Sequence, residues 1–113
     1  MAVRGILIVA VFSAILGAVA SGQNAGNPEN GKLLFLKHGC SRCHGTVGQG
    51  GAGARLAPNP LATAALIKYV RKPTGTMPPY TNQLTDAELG DIRAYLASIP
   101  APLPLKDIPL LNN

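Results

Sequence analysis

Tryptophan is absent from these 113 residues, and only three Tyr and two Phe supply aromatic bulk. With 13 glycines and 10 prolines, much of the chain is loop, and few large side chains remain to build a core. A small domain of this composition usually recruits a disulfide, a metal or a bound group to hold itself together. Acidic residues are scarce too, five against ten Lys and Arg, and they show no paired arrangement suited to acid–base catalysis. The net charge of +5 is diffuse. Without a Lys/Arg stripe or interleaved aromatics it argues against nucleic-acid binding, and leaves solubility or steering towards an acidic partner. Long apolar runs are also missing: only Gly5–Leu16 is nearly unbroken, short of the roughly 20 residues that a membrane span needs. Cysteine occurs twice.

Those two cysteines stand in Cys40-Ser41-Arg42-Cys43-His44. Two cysteines separated by two residues, with histidine next, form the attachment signature of c-type haem. Each thiol can add to one haem vinyl group, and His44 then sits under the iron as an axial ligand. The rival readings fit less well. A thioredoxin-like pair wants a βαβ setting, whereas here a helical pattern precedes and a glycine-rich loop follows. A zinc site needs a second ligand pair, and no Cys or His follows His44. A structural disulfide across two residues is a tight and uncommon loop. A covalent haem would also replace the missing core side chains.

Ahead of the motif, residues 1–20 read as a secretory signal peptide. Arg4 is the positive region, Gly5–Leu16 the apolar region and Ala18-Val19-Ala20 the small-residue site. The alternative is an uncleaved membrane anchor. Residues 21–27 form a linker. Asn27-Pro28 reads as a cap and first position of a helix to about Lys37, with Leu33, Leu34 and Phe35 on its apolar face. Gly31 lowers helix propensity there and implies close approach by another helix. Gly39 ends the helix, and His38 is expected at the surface.

The glycines at 45, 48, 50, 51 and 53 lack the Lys-Ser/Thr ending and the preceding strand of a phosphate loop. They read instead as backbone able to pack tightly around a flat cofactor, with Leu56-Ala57-Pro58 adding apolar contact. Asn59-Pro60 repeats the cap device, for a helix from about Pro60 to Arg71 with Leu61, Ala64, Ala65 and Val70 facing inward. Thr74 to Tyr80 is a loop stiffened by Pro78 and Pro79, and it carries Met77, the only methionine besides Met1. Thr85-Asp86-Ala87-Glu88 is a capping box with Leu84 and Leu89 as staple. Leu89, Ile92, Leu96 and Ile99 then recur at helical spacing beside Tyr95. The main domain is expected over 28–100, followed by a Pro-rich tail, 101–113, that is extended along the domain or docked to a partner.

In order and spacing these motifs resemble class I c-type cytochromes, small exported monohaem carriers, from about Asn27 to Ile99. The marks are Gly31 and Phe35, then Cys40-x-x-Cys43-His44-Gly45, Met77-Pro78-Pro79-Tyr80, Leu84-Thr85-Asp86 and Ile92-x-x-Tyr95-Leu96. The resemblance implies an all-α cytochrome c fold, three to four short helices and loops wrapped around one haem c. Cys40 and Cys43 would hold the haem, and His44 and Met77 would be the axial metal ligands. The first and last helices would cross near Gly31, with Phe35 and Tyr95 at the contact. Many relatives place a proline after the glycine loop, where a backbone carbonyl receives the histidine Nδ1–H. Here Ala54 holds that place, which leaves the acceptor carbonyl unassigned. Methionine often fills gaps in cores, but a proline-stiffened loop is a poor place for that role. Tyr80 reads equally as a haem-propionate partner or as pocket cover, and Arg55 and Arg71 equally as propionate partners or solvated arginines.

The implied function is one-electron transfer rather than enzymatic catalysis, in a periplasmic or otherwise exported chain. The partners would be redox proteins, with a membrane involved only if the N-terminal segment is kept. The alternatives are a cytochrome subunit of a periplasmic dehydrogenase or oxidase, and a haem enzyme or gas sensor with an open distal site.

Overall fold

The computed structural model describes residues 25–111. The expected signal peptide, residues 21–24 of the linker and the last two residues of the tail lie outside them. Within the described residues the fold is all-helical: α1 (Pro28–Lys37), α2 (Cys40–His44), α3 (Thr63–Arg71) and α4 (Asp86–Ser98), then two 3-10 turns at Leu105–Asp107 and Pro109–Leu111. None of these helices is long and apolar enough to cross a membrane.

The ends of α1 follow the expected chemistry. The Asn27 side chain accepts from the backbone N–H groups of Glu29 and Asn30 at 3.0 and 3.1 Å, and Pro28 occupies the first turn, where no N–H partner is lost. Glu29 and Lys37 complement the helix dipole at opposite ends. Helix α4 starts with both bonds of the capping box: Glu88 N donates to Thr85 Oγ1 at 3.1 Å, and Thr85 N donates to Glu88 Oε2 at 2.8 Å. Leu84 and Leu89, the staple, are both buried.

Helices α1 and α4 pack directly on each other. A Cβ added at Gly31 would lie 1.9 Å from the Asp91 carbonyl oxygen, so only glycine permits this approach. The crossing is pinned beside that contact by one carboxylate. Asp91 accepts from Asn27 N and from Asn30 Nδ2, both at 2.7 Å. Phe35 and Tyr95 meet at the crossing as tilted rings 5.7 Å apart, a geometry worth about 0.5–1.5 kcal/mol beyond area burial. Phe35, Leu89 and Leu96 are the most completely buried side chains.

Three expectations need correction. Helix α3 begins at Thr63, not Pro60, and Ala62 precedes it without a side-chain cap; Asn59 is exposed. Its inward face is Leu66, with Ile67 and Val70 against the core, whereas Leu61, Ala64 and Ala65 are exposed. Small residues without a cap left the phase of this helix to tertiary packing. On α1, Leu33 is 67% exposed, because Leu34 and Phe35 already fill the strip facing α4.

The two glycines of the crossing region make opposed tests. Gly31→Ala forces two backbones apart and should lower stability by about 1–3 kcal/mol. Gly90 lies within α4 with nothing within 4 Å of an added Cβ, so Gly90→Ala should raise stability by about 0.5–1 kcal/mol. Denaturant midpoints of the two variants against the parent check both signs.

Candidate cofactor site

The attachment motif is itself a helical turn, which periodicity did not reveal. Gly39 adopts φ 77°, a left-handed value that lets the chain leave α1 and start α2 at once. On a helix, positions three and four apart share a face. Cys40, Cys43 and His44 therefore project together. The turn is braced from below by the glycine loop: Gly53 N donates to Cys43 O and Gly50 N to His44 O, both at 2.8 Å. The two cysteines are not joined in a disulfide; Cys40 is half-buried and Cys43 exposed. Burial pushes the Cys40 thiol up, partly opposed by a backbone hydrogen bond, so it stays protonated at neutral pH.

His44 Nδ1 lies 2.7 Å from the carbonyl oxygen of Ala54. A carbonyl can only accept, so Nδ1 carries the proton and the lone pair of Nε2 is free for a metal. The acceptor is thus Ala54, the residue standing where many relatives would have proline. Gly53 walls the ring: a Cβ there would sit 2.8 Å from Cε1 and 2.9 Å from Nδ1 of His44.

Cys40, Cys43, His44 and Met77 all line one open cavity of about 780 Å³. Its inner wall is the core itself, with Phe35, Leu66, Leu89 and Leu96 among the lining side chains. The proline-stiffened loop brings Met77, half-buried, to the same space from a different part of the chain.

The remaining candidates divide. Arg55 borders the cavity while its Nε donates to Gln49 O at 3.2 Å. Arg71 is committed to protein partners: Nη1 donates to Tyr80 O, and Nη2 pairs with Asp86 at 2.8 Å. Tyr80 lines the cavity, and its hydroxyl donates to His38 O at 2.8 Å. Burial raises the Tyr80 phenol first, with any charge on Cys40 and Cys43 adding and Arg42 opposing, so it remains a donor. His38 is a correction. It is half-buried at the cavity rim, edge-on to Tyr80 with centroids 6.4 Å apart, rather than a plain surface residue.

A family model described as cytochrome c oxidase, cbb3-type, subunit III matches residues 26–96, more than half of the chain. The chain belongs to this family. It is a c-type cytochrome. No curated protein and no solved structure matches it. The family implies haem c as cofactor and haem-based electron transfer as activity, and the helical architecture agrees with the cytochrome c fold.

The residues around the cavity fit such a group: two thiols on one helical turn, an imidazole with Nδ1 held by Ala54 O and Nε2 free, a thioether, and an apolar inner wall. Reading the cytochrome's sequence missed three contacts that hold this site together. They are Arg71 to Tyr80 and Asp86, Asp91 to α1, and the Tyr95 hydroxyl, which donates to Thr46 O at 2.8 Å. They join residues 9 to 64 positions apart, beyond the reach of any helical or capping pattern.

Gly53→Ala should crowd the imidazole and cost about 1–3 kcal/mol of stability. The haem absorption of the purified cytochrome should shift as His44 tilts, and an unaltered spectrum would show that the ring does not lean on this glycine.

Proposed function

We propose that this cytochrome carries single electrons through one haem c held by thioether bonds from Cys40 and Cys43, with His44 and Met77 as axial ligands. The observation that carries the reading is the convergence of these four side chains, from two separate segments, on one apolar-walled cavity. When bound, the haem supplies an iron that alternates between ferric and ferrous states. Each cysteine would add its S–H across a vinyl C=C, sulfur to one carbon and hydrogen to the other, so attachment would consume no oxidant. The bond to Ala54 orients His44 and increases its basicity. The Met77 thioether is soft and favours the ferrous form, raising the potential. The apolar wall acts in the same direction, because the ferric form carries the extra charge.

With His44 and Met77 both available to hold the iron, no substrate would need to bind, which favours a carrier over an enzyme or gas sensor. The rest of the reading is organisational: residues 1–20 direct export, 28–100 form the haem domain, and the donor and acceptor are redox proteins met in weak, salt-sensitive encounters. A second reading, a fixed subunit of a dehydrogenase or oxidase, is favoured by the name of the matching family. The tail adds support, with Leu103, Leu105, Leu110 and Leu111 between 61% and 85% exposed.

Met77→Ala should lower the reduction potential, remove the ferric near-infrared methionine–iron band and admit carbon monoxide to the ferrous iron. An unchanged spectrum and potential would rule out Met77 as ligand. Changing Cys40 and Cys43 together to Ala should leave haem that extracts into acidified organic solvent; retention of colour in the protein after extraction would contradict thioether attachment.

A further inference from the structure

The loop that carries Met77 is tied down at both ends of its span. Before Met77, Tyr69 on α3 places its hydroxyl 3.0 Å from Thr74 Oγ1. After Met77, Tyr80 makes three connections at once. Its N–H donates to Val70 O at 3.0 Å, its carbonyl accepts from Arg71 Nη1, and its hydroxyl donates to His38 O at 2.8 Å. Arg71 also reaches forward to Asp86 at the start of α4. One tyrosine thus links the loop to the end of α3 and to the residue two places before Cys40. Between these ties, the loop has no regular secondary structure to hold Met77 in place.

The contacts of Tyr80 and Arg71 are not equal. Asp86 is 70% exposed, so its ion pair with Arg71 contributes little. The guanidinium bond to the Tyr80 carbonyl is part-buried and charge-assisted, and therefore stronger. The phenol bond spans the cavity rim from the Met77 loop to the α1–α2 junction.

We infer that Arg71 and Tyr80 are positioning residues that clasp the Met77 loop over the cavity and thereby set how often the methionine side of the cofactor is open to outside ligands. This inference rests on the reading of Met77 as an axial ligand. In a two-state loop, the apparent affinity of an exogenous ligand scales with the open fraction. Loss of one hydrogen bond shifts such a balance by about fivefold, and loss of a charge-assisted one by about tenfold or more.

The test measures imidazole binding to the ferric holoprotein for the parent, Tyr80→Phe, Arg71→Gln and Met77→Ala, with the thermal midpoint and amide exchange at residue 80 recorded for each. Tyr80→Phe should bind imidazole about fivefold more tightly than the parent and Arg71→Gln about tenfold. Both should keep a methionine–iron band, and in both the residue 80 amide should exchange faster. If these variants lose thermal stability but bind imidazole like the parent, the residues are merely structural and the clasp is overturned. If the parent has no methionine–iron band and Met77→Ala binds imidazole no more tightly, the ligation reading fails and the clasp falls with it.

Discussion

The contact on which the structure depends is the crossing of α1 and α4, where the Gly31 backbone approaches the Asp91 carbonyl too closely for any side chain. Everything on the cofactor side is hung from this crossing. Helix α1 leads through Gly39 straight into the turn bearing both cysteines and the histidine. Helix α4 supplies Leu89, Ile92 and Leu96 to the cavity wall and, through the Tyr95 hydroxyl, holds the loop that follows the motif. The Asp91 carboxylate closes the joint with two hydrogen bonds, so polar groups fix the register while apolar rings fill the space.

The small aromatic content has a direct counterpart in the fold. Phe35, Leu66, Leu84, Leu89, Ile92 and Leu96 belong both to the buried core and to the cavity lining. Core and cavity therefore share most of the buried apolar side chains. With few aromatic side chains available, a haem bound as proposed would complete the packing of this core, and covalent attachment would keep that component from leaving. The same side chains that stabilise the fold would thus also give the proposed haem a low-dielectric wall.

What was legible in the sequence was local. Asn27-Pro28 and Thr85-x-x-Glu88 announced two helix starts because capping is settled within four residues. The Cys40–His44 motif announced the cofactor because its chemistry needs adjacent residues. Helix α3 was placed three residues early because Asn59-Pro60 has the form of a cap, yet the chain there stays irregular until Thr63. The α2 turn escaped notice because five residues show no period. His38 was assigned to the surface because its contacts with Tyr80 span 42 positions, a separation at which sequence reasoning has no handle.

The acceptor for the His44 ring proton is a main-chain carbonyl, and the Ala54 methyl that accompanies it is exposed. The hydrogen bond that orients His44 therefore does not draw on the side chain at position 54. Because Ala54 also borders the cavity, a handle placed there would stand at the edge of the proposed cofactor site, giving a short, defined route for wiring this protein to an electrode or a photosensitiser.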